Sequence, residues 1–258
     1  MDDIAANAAP VTSNAGHMQS LAAEEQARAD FYALLAALLL HAPPPALLAA
    51  LIAAPAMPSL PFVTSVTSVT SDEAISGLTM ATAWHELADA ARRLGAAAVH
   101  EEFNALFVSV GTPLLNPYGS RYLAGFIMER PLAALRDDLR ELGLSRTAGC
   151  AELEDHLGAL CEVMRLLVAG SGPVRGRSIA IQKAFFFKHV APWYRRCLED
   201  IQAAENADFY RSVAKFAQAF FAIEFEAFEI ADAAAPHTMQ AAAHEAPPDC
   251  FFEEEDHA

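Results

Sequence analysis

The stretch Ala151–Leu167, AELEDHLGALCEVMRLL, is the part of the chain from which the fold can be argued outward. Its apolar residues recur at three- and four-residue steps, which predicts one buried stripe on an amphipathic helix. The residues of this stripe are Leu153, Leu157, Leu160, Met164 and Leu167. Glu152, Glu154, Asp155 and His156 fall in the first turn and a half, where acidic side chains suit the positive end of the helix dipole. The segment is either an ordinary amphipathic helix or a helix whose Asp155-His156 pair belongs to a site.

Periodic apolar segments on both sides of this stretch predict further helices. Proline or glycine stands at or near most of their ends, as is usual at helix boundaries. The predicted segments are 20–41, 46–54, 72–93, 96–110, 121–128, 131–142, 174–190, 192–204 and 208–230. No stretch has convincing period-two alternation, so the sequence predicts an all-α fold, a single compact bundle of about nine or ten helices.

The segments between and beyond these helices predict the organisation of the chain. Residues 1–18 are small and polar and are predicted to be disordered, and residues 232–258 are predicted to be an acidic, solvated tail. Residues 19–231 form the predicted helical domain. Within it, residues 55–72 repeat the triplet V-T-S and are predicted to be a low-complexity loop, with a β-hairpin edge as the alternative. The loop 111–120, GTPLLNPYGS, is the predicted hinge.

The composition limits the classes of protein that the chain can belong to. Of its 258 residues, 54% are hydrophobic and only 19% are charged, which excludes a chain that is disordered throughout. The formal net charge is −16. Nucleic acid is excluded as a partner because its phosphates require a basic surface. A basic partner, or simply solubility, explains the charge.

The same sequence predicts a cytoplasmic protein without a membrane span. The longest apolar run, Phe31–Leu40, ends at His41 and a run of prolines, whereas a span needs roughly 20 residues. The N-terminal MDDIAANAAP lacks the basic start and apolar core of a secretory signal. The cysteines are scattered without a C-x-x-C pair, which is typical of reduced thiols in the cytoplasm. They are Cys150, Cys161, Cys197 and Cys250.

Sequence motifs of known enzyme chemistry are absent. There is no phosphate-binding G-x-x-x-x-G-K-[ST], no dinucleotide-binding G-x-G-x-x-G and no G-x-S-x-G nucleophile elbow. Glu152 and His156 are four residues apart and could share a metal, so a metal-dependent helical-bundle enzyme is kept as an alternative. A second, facing motif of that kind is missing. Asp155 and His156, as helix neighbours, would point about 100° apart and could not form an acid–base dyad. We expect a binding protein without cofactor, metal or catalytic residues.

Four stretches, taken in order, carry a resemblance to a known family. They are 101–107 (EEFNALF), 116–123 (NPYGSRYL), 152–157 (ELEDHL) with 162–164 (EVM), and 186–193 (FFKHVAPW). The chain resembles the TorD/DmsD/NarJ family of redox-enzyme maturation chaperones over about residues 25–230. One departure is that the family often has proline before the D-H pair, where this chain has Glu154.

The resemblance implies an all-helical cytoplasmic chaperone rather than an enzyme. Members of the family bind the twin-arginine signal peptide, or another part, of a molybdenum-cofactor oxidoreductase, and hold this client until its cofactor is inserted. Some members exchange helices, so either a monomer or a helix-swapped dimer is expected. An assembly adaptor that does not read a signal peptide is a further alternative. The sequence does not specify the client oxidoreductase.

This role assigns the predicted site. An acidic rim would attract the basic start of a signal peptide, and an apolar groove would hold its apolar middle. Asp155 is expected on the arginine side, and His156 is expected to donate a hydrogen bond or to fix the groove wall. Tyr118, Ser120 and Tyr122 are expected to line the facing loop, and Glu152 and Pro117 are also assigned to the client-binding site. The alternative is structural: Asp155 caps its own helix, and His156, Tyr122, Trp193, Phe103 and Phe107 belong to the core.

Overall fold

The structure is a computed structural model that describes residues 22–55, 80–108, 113–147, 152–170 and 176–233. Within these ranges the protein is an all-α bundle, as predicted. None of the helices in the described ranges has the length and apolarity that a membrane crossing requires. The predictions for residues 1–18, 56–72 and 234–258 lie outside the described residues.

Nine α-helices and one π-helical segment make up the described part of the bundle. The helices are α1 (Ala23–Leu40), α2 (Pro45–Ala53), α3 (Met80–Phe103), α4 (Gly119–Ala124), α5 (Arg130–Glu141), α6 (Leu157–Ala169), α7 (Ile179–His189), α8 (Tyr194–Ala203) and α9 (Phe209–Ala233). The π-helical segment Asn104–Val108 follows α3 directly. The two helices predicted on either side of Gly95 are confirmed as two helical stretches of α3 that meet at a kink, because Gly95 has the non-helical angles φ 73° and ψ 167°. A glycine at this position adopts the positive φ that separates the two stretches.

Two helix pairs build most of the core. Helix α1 packs against α6, and α3 packs against α9. The predicted stripe on α6 is confirmed for Leu157, Leu160, Met164 and Leu167, which are all buried. At Gly158 the backbones of α1 and α6 come so close that an added Cβ would lie 2.8 Å from Leu40 Cγ. The core also contains an aromatic cluster, in which Phe186 of α7 packs between rings of α8 and α9.

Two carboxylates, one on α3 and one on α9 itself, hold α9 in place. Glu102, near the end of α3, accepts hydrogen bonds from the backbone N–H groups of Asp208, Phe209 and Tyr210 at 2.9, 3.0 and 2.8 Å. These N–H groups are left without helical acceptors at the start of a helix, so Glu102 is a cap supplied from a distant part of the chain. Further along α9, buried Glu224 accepts two hydrogen bonds from Arg28 of α1 and one from Tyr32.

The start of the central helix differs from the prediction. Helix α6 begins at Leu157, and His156 is its N-cap. Residues Glu152–Asp155 precede the helix, so the expectation that they occupy its first turn and a half is wrong. Leu153 is accordingly not part of the helical stripe. The physical reason is tertiary: the backbone and side chain of Asp155 bind the start of α4, which holds this segment out of the helix.

Candidate functional site

Two loops that are distant in sequence meet at the start of α4 and α6. Tyr118 and His156 form an isolated antiparallel bridge. Gly119 N–H donates to Asp155 O and Leu157 N–H donates to Pro117 O, both at 2.8 Å. Six of the predicted site residues are therefore brought together here. They are Pro117, Tyr118, Ser120, Glu152, Asp155 and His156.

Asp155 is the buried centre of this junction. It is 3% exposed, and its Oδ2 accepts the backbone N–H of Ser120 at 2.8 Å. Its second oxygen, Oδ1, has no hydrogen-bond partner in the described part of the chain, and neither does the buried hydroxyl of Ser120. The alternative that Asp155 caps its own helix is wrong, because it caps α4. A buried carboxylate oxygen without a partner is unusual and is an acceptor available to a ligand.

His156 is held in the wall of the same junction. Its Nδ1 accepts the backbone N–H of Gly158 at 3.0 Å, so the proton of the neutral ring lies on Nε2. The ring of Tyr118 packs edge-on against it with centroids 5.0 Å apart. Burial, with a smaller contribution from His41, lowers the pKa of His156 to about 3. This side chain is a neutral N-cap that is also a buried core residue.

The carboxylates on either side of Asp155 already have internal partners. The Tyr118 hydroxyl donates to Glu152 Oε2. Burial and this contact raise the pKa of Tyr118. Glu154 accepts two hydrogen bonds from Arg136 on α5, at 3.1 and 2.9 Å. Burial raises the pKa of Glu154, but the Arg136 guanidinium outweighs this and lowers it overall. Of these acids, Asp155 alone has a buried oxygen without a hydrogen-bond partner.

A cavity of about 90 Å³ opens beside Asp155. Its wall is mostly apolar, with a few polar groups at one side. The lining residues are Gly119, Leu123, Pro131, Ala134, Leu135, Asp155, Leu160, Lys188, His189 and Trp193. Buried Trp193 supports the α4 side, since a Cβ at position 119 would lie 3.1 Å from its Nε1. Glycine at 119 therefore allows α4 to lie directly on the indole.

Tyr122 lies on the far side of Trp193 and does not line this cavity. Its ring stacks on the indole with centroids 5.4 Å apart, and its hydroxyl donates to Asp200 Oδ2 at 2.8 Å. Burial is the main cause of the raised pKa of Tyr122. The structural alternative for Trp193 is confirmed, since it is 1% exposed. Tyr122 joins α4 to α8 and is separate from the junction at Asp155.

The sequence did not predict the polar cluster at the cavity, in which Lys188 and His189 of the lining share the carboxylate of Asp138. His189 Nε2 and Asp138 Oδ2 are 2.6 Å apart, and Lys188 pairs with the same carboxylate. Burial lowers the pKa of His189, with Asp138 acting against this shift. His189 was visible in the motif FFKHVAPW, where it precedes the buried tryptophan by four residues. Nothing in the sequence linked it to Asp138 on α5.

An exposed apolar segment borders the cavity. We call residues 123–128, from the last turns of α4 to the approach to α5, the apolar loop. Leu123, Phe126, Ile127 and Met128 are 46, 69, 45 and 71% exposed. Leu123, at the start of this segment, lines the cavity, and so does Pro131, three residues beyond its end. The acceptor at Asp155 and an apolar surface are therefore adjacent.

The metal-site alternative can be compared with the same geometry. In the five described ranges, no group of three or more His, Cys, Asp or Glu side chains is arranged to hold a metal ion. Glu152 is engaged by Tyr118, and Nδ1 of His156 is engaged by a backbone N–H. Only His156 Nε2 and part of one carboxylate are left for such a site.

Comparisons with known proteins agree with the motifs. A family model described as the nitrate reductase delta subunit matches residues 77–199. A curated protein from Haemophilus influenzae, named as a probable Tat proofreading chaperone DmsD, is 30% identical over 118 residues. Over less than half of its length, the chain is similar to the nitrate reductase delta subunit family and to a DmsD chaperone. That alignment covers 45% of this chain and 55% of the relative, so the chain matches about half of the relative's length. The family-model match includes α4 to α7 and all residues of the junction.

Proposed function

We propose that the protein is a cytoplasmic chaperone, without catalytic activity or a cofactor of its own, for a molybdenum-cofactor oxidoreductase. It binds the twin-arginine signal peptide, the apo form of this client, or both, and holds the client until its cofactor is inserted. The partial similarity to the nitrate reductase delta subunit family and the printed name of the DmsD relative support this role.

The observation that carries the proposal is the acceptor in the apolar cavity. Asp155 offers one unpartnered, buried carboxylate oxygen, and it lines the same cavity as exposed Leu123 of the apolar loop. A guanidinium group forms its strongest hydrogen bonds with carboxylates, and an apolar peptide segment is stabilised by covering apolar surface. A client segment with an arginine next to an apolar run matches both groups. The other residues of the junction then position Asp155, and no unused charge on them contacts the client. They are Pro117, Tyr118, Ser120, Glu152 and His156.

The overall charge supports encounter with such a client. The net charge of −16 attracts a basic peptide over a distance, which acts mainly on the association rate and weakens with salt. The contact itself depends on few groups, since Glu152 and Glu154 already have internal partners. Affinity is therefore expected to depend strongly on one carboxylate and only weakly on the others.

Isothermal calorimetry with Asp155→Asn tests the proposal. The probe is the signal peptide of a molybdenum-cofactor oxidoreductase that is encoded beside this chain. We expect the substitution to weaken binding by about tenfold or more, because it removes the charge that pairs with the guanidinium. The helical circular dichroism stays unchanged, since the asparagine oxygen still accepts from Ser120 N–H. Asp137→Asn, at an exposed carboxylate of α5, is the matched control and leaves the affinity unchanged.

The same measurements separate the alternatives. Binding of the apo-oxidoreductase with equal affinity whether or not it carries its signal peptide would replace signal recognition by an assembly adaptor. Binding of neither the peptide nor the apo-oxidoreductase would overturn the chaperone proposal. Stoichiometric iron, manganese or zinc in protein purified without a histidine tag would favour the metal-dependent enzyme.

A further inference from the structure

The apolar loop has an unusual charge environment for so acidic a protein. Residues 113–147, which contain it, carry five arginines and four acidic side chains. Arg121 stands just before the loop and Arg130 just after it. Arg121 donates to Gly125 O. Among the described residues, neither arginine has a carboxylate within ion-pair distance.

Arg130 is also unfavourably placed within its own helix. It is the first residue of α5, whose first turn contains no acidic side chain and whose N-cap, Glu129, makes no side-chain capping bond. A positive charge at a helix N-terminus is repelled by the helix dipole. A group that covers the apolar loop and also carries negative charge would stabilise this corner of the protein. A basic peptide alone does not meet that requirement.

The chain itself contains a segment with this chemistry. Residues 234–258 include six acidic side chains and no lysine or arginine. Phe251 and Phe252 are followed directly by Glu253–Asp256, so an apolar pair adjoins a block of four acids. From the end of α9 at Ala233, the 17 residues to Cys250 can span up to about 55 Å, which is more than the diameter of a domain this size.

We propose that residues 250–256 dock on the apolar loop of the same molecule when no client is bound. The two phenylalanines cover Phe126, Ile127 and Met128, and the acidic block pairs with Arg121 and Arg130. The competition that follows rests on the proposed function. The docked segment and the apolar part of the client would both cover the apolar loop. The acidic segment would then shield the exposed loop between clients, in the manner of an autoinhibitory contact.

Proximity cross-linking in the full-length chain tests the docking without a client. Cys250 provides a thiol next to Phe251, and Ile127→Cys places a second thiol on the apolar loop. Each cysteine variant also carries Cys150→Ser, which removes one other thiol. Cys161 and Cys197 are buried, and because burial raises the pKa of both thiols, they react slowly. The matched control is Ile52→Cys, an exposed isoleucine on α2. A short bismaleimide is the reagent.

Docking predicts intramolecular cross-linking of Ile127→Cys at least about tenfold faster than of Ile52→Cys, through a higher effective concentration. Phe251→Ser with Phe252→Ser abolishes this difference, and so does Arg121→Glu with Arg130→Glu. Equal rates for the two cysteine positions would overturn the proposal. Cross-links only between molecules would also overturn it and indicate contact between two copies.

Calorimetry with the signal peptide tests the competition. If both proposals hold, Phe251→Ser with Phe252→Ser in the full chain raises peptide affinity by about threefold to tenfold. Unchanged affinity would overturn the competition even where cross-linking supports docking. If the signal peptide binds neither the natural chain nor the variant with Phe251→Ser and Phe252→Ser, this counts against the proposed function. The cross-linking result would then still stand by itself.

Discussion

Two carboxylates in this protein cap helices that are distant in sequence, and they do so to different extents. Glu102 accepts three backbone N–H groups at the start of α9, using both oxygens. The side chain of Asp155 accepts one backbone N–H, that of Ser120, at the start of α4. Its other carboxylate oxygen has no partner among the described residues. The first cap is saturated, whereas the second retains acceptor capacity in a buried place.

Under the proposed function, this difference separates structural from binding chemistry within one fold. A saturated carboxylate is fully used in holding two helices together, so little is left for another molecule. A carboxylate with an unused buried oxygen costs free energy until a donor reaches it. The same device therefore suggests a structural role at Glu102 and a binding role at Asp155, and each can be tested against the other.

Glu102→Ala gives the largest expected effect on stability. It removes three charge-assisted hydrogen bonds from the start of α9 and is expected to lower the free energy of unfolding by about 3 kcal/mol. Chemical denaturation measures this loss. Exposed Glu101 is the matched control, and Glu101→Ala should change stability by less than about 0.5 kcal/mol. A similarly small loss for Glu102→Ala would remove the contrast between the two caps.

The pH dependence at His156 gives the next effect. Its pKa is about 3 in the folded protein and near 6.5 when unperturbed, so between these values the unfolded chain binds a proton that the folded chain does not. Stability at this residue is therefore complete above about pH 6.5 and is lost as the pH falls. Lowering the pH from 6.5 to 5.0 should cost up to about 2 kcal/mol.

Denaturation at several pH values with His156→Asn measures this contribution. Asparagine is a good N-cap and does not titrate, so the variant keeps the bond from Gly158 N–H and loses the pH-dependent part. Parallel stability profiles for the natural protein and the variant would mean that His156 is more accessible to solvent and protons than its burial indicates.

Ser120→Ala gives the smallest expected effect. The Ser120 hydroxyl is buried without a partner, and the cap on α4 uses its backbone N–H. Removing the hydroxyl should leave the free energy of unfolding unchanged or raise it by up to about 1 kcal/mol. Thermal and chemical denaturation are the measurements. A loss above 1 kcal/mol would mean that the hydroxyl contributes to the junction and that the two caps are more alike than the contact geometry indicates.

Much of the fold follows from the apolar periodicity. The stripe of Leu157, Leu160, Met164 and Leu167 is buried as predicted, because a helix needs only local spacing to define its buried face. The break at Gly95 was also predicted, because glycine is the usual residue where a helix ends with a positive φ. The start of α6, in contrast, was placed too early, because charged first-turn residues fit a helix locally.

The candidate site was predicted in part. The family motifs predicted one site for Pro117, Tyr118 and Ser120 together with Asp155 and His156. Apolar periodicity alone does not relate two loops about 35 residues apart. Tyr122 was assigned to the same surface but lies behind Trp193. Asp138, His189 and the apolar loop were missed, because contacts between α5 and α7 depend on how helices pack, which is not encoded in any local spacing.

Helix α4 has six residues, which is too short to be stable by itself in water. Its first N–H groups depend on the carbonyl and the carboxylate of one residue, Asp155. The hydrogen-exchange rates of the amide protons in this helix therefore report on the local stability of the junction. When a donor occupies the free oxygen of Asp155, hydrogen exchange at Tyr122 and Gly125 should slow more than exchange in α9, which reports the opening of the whole bundle.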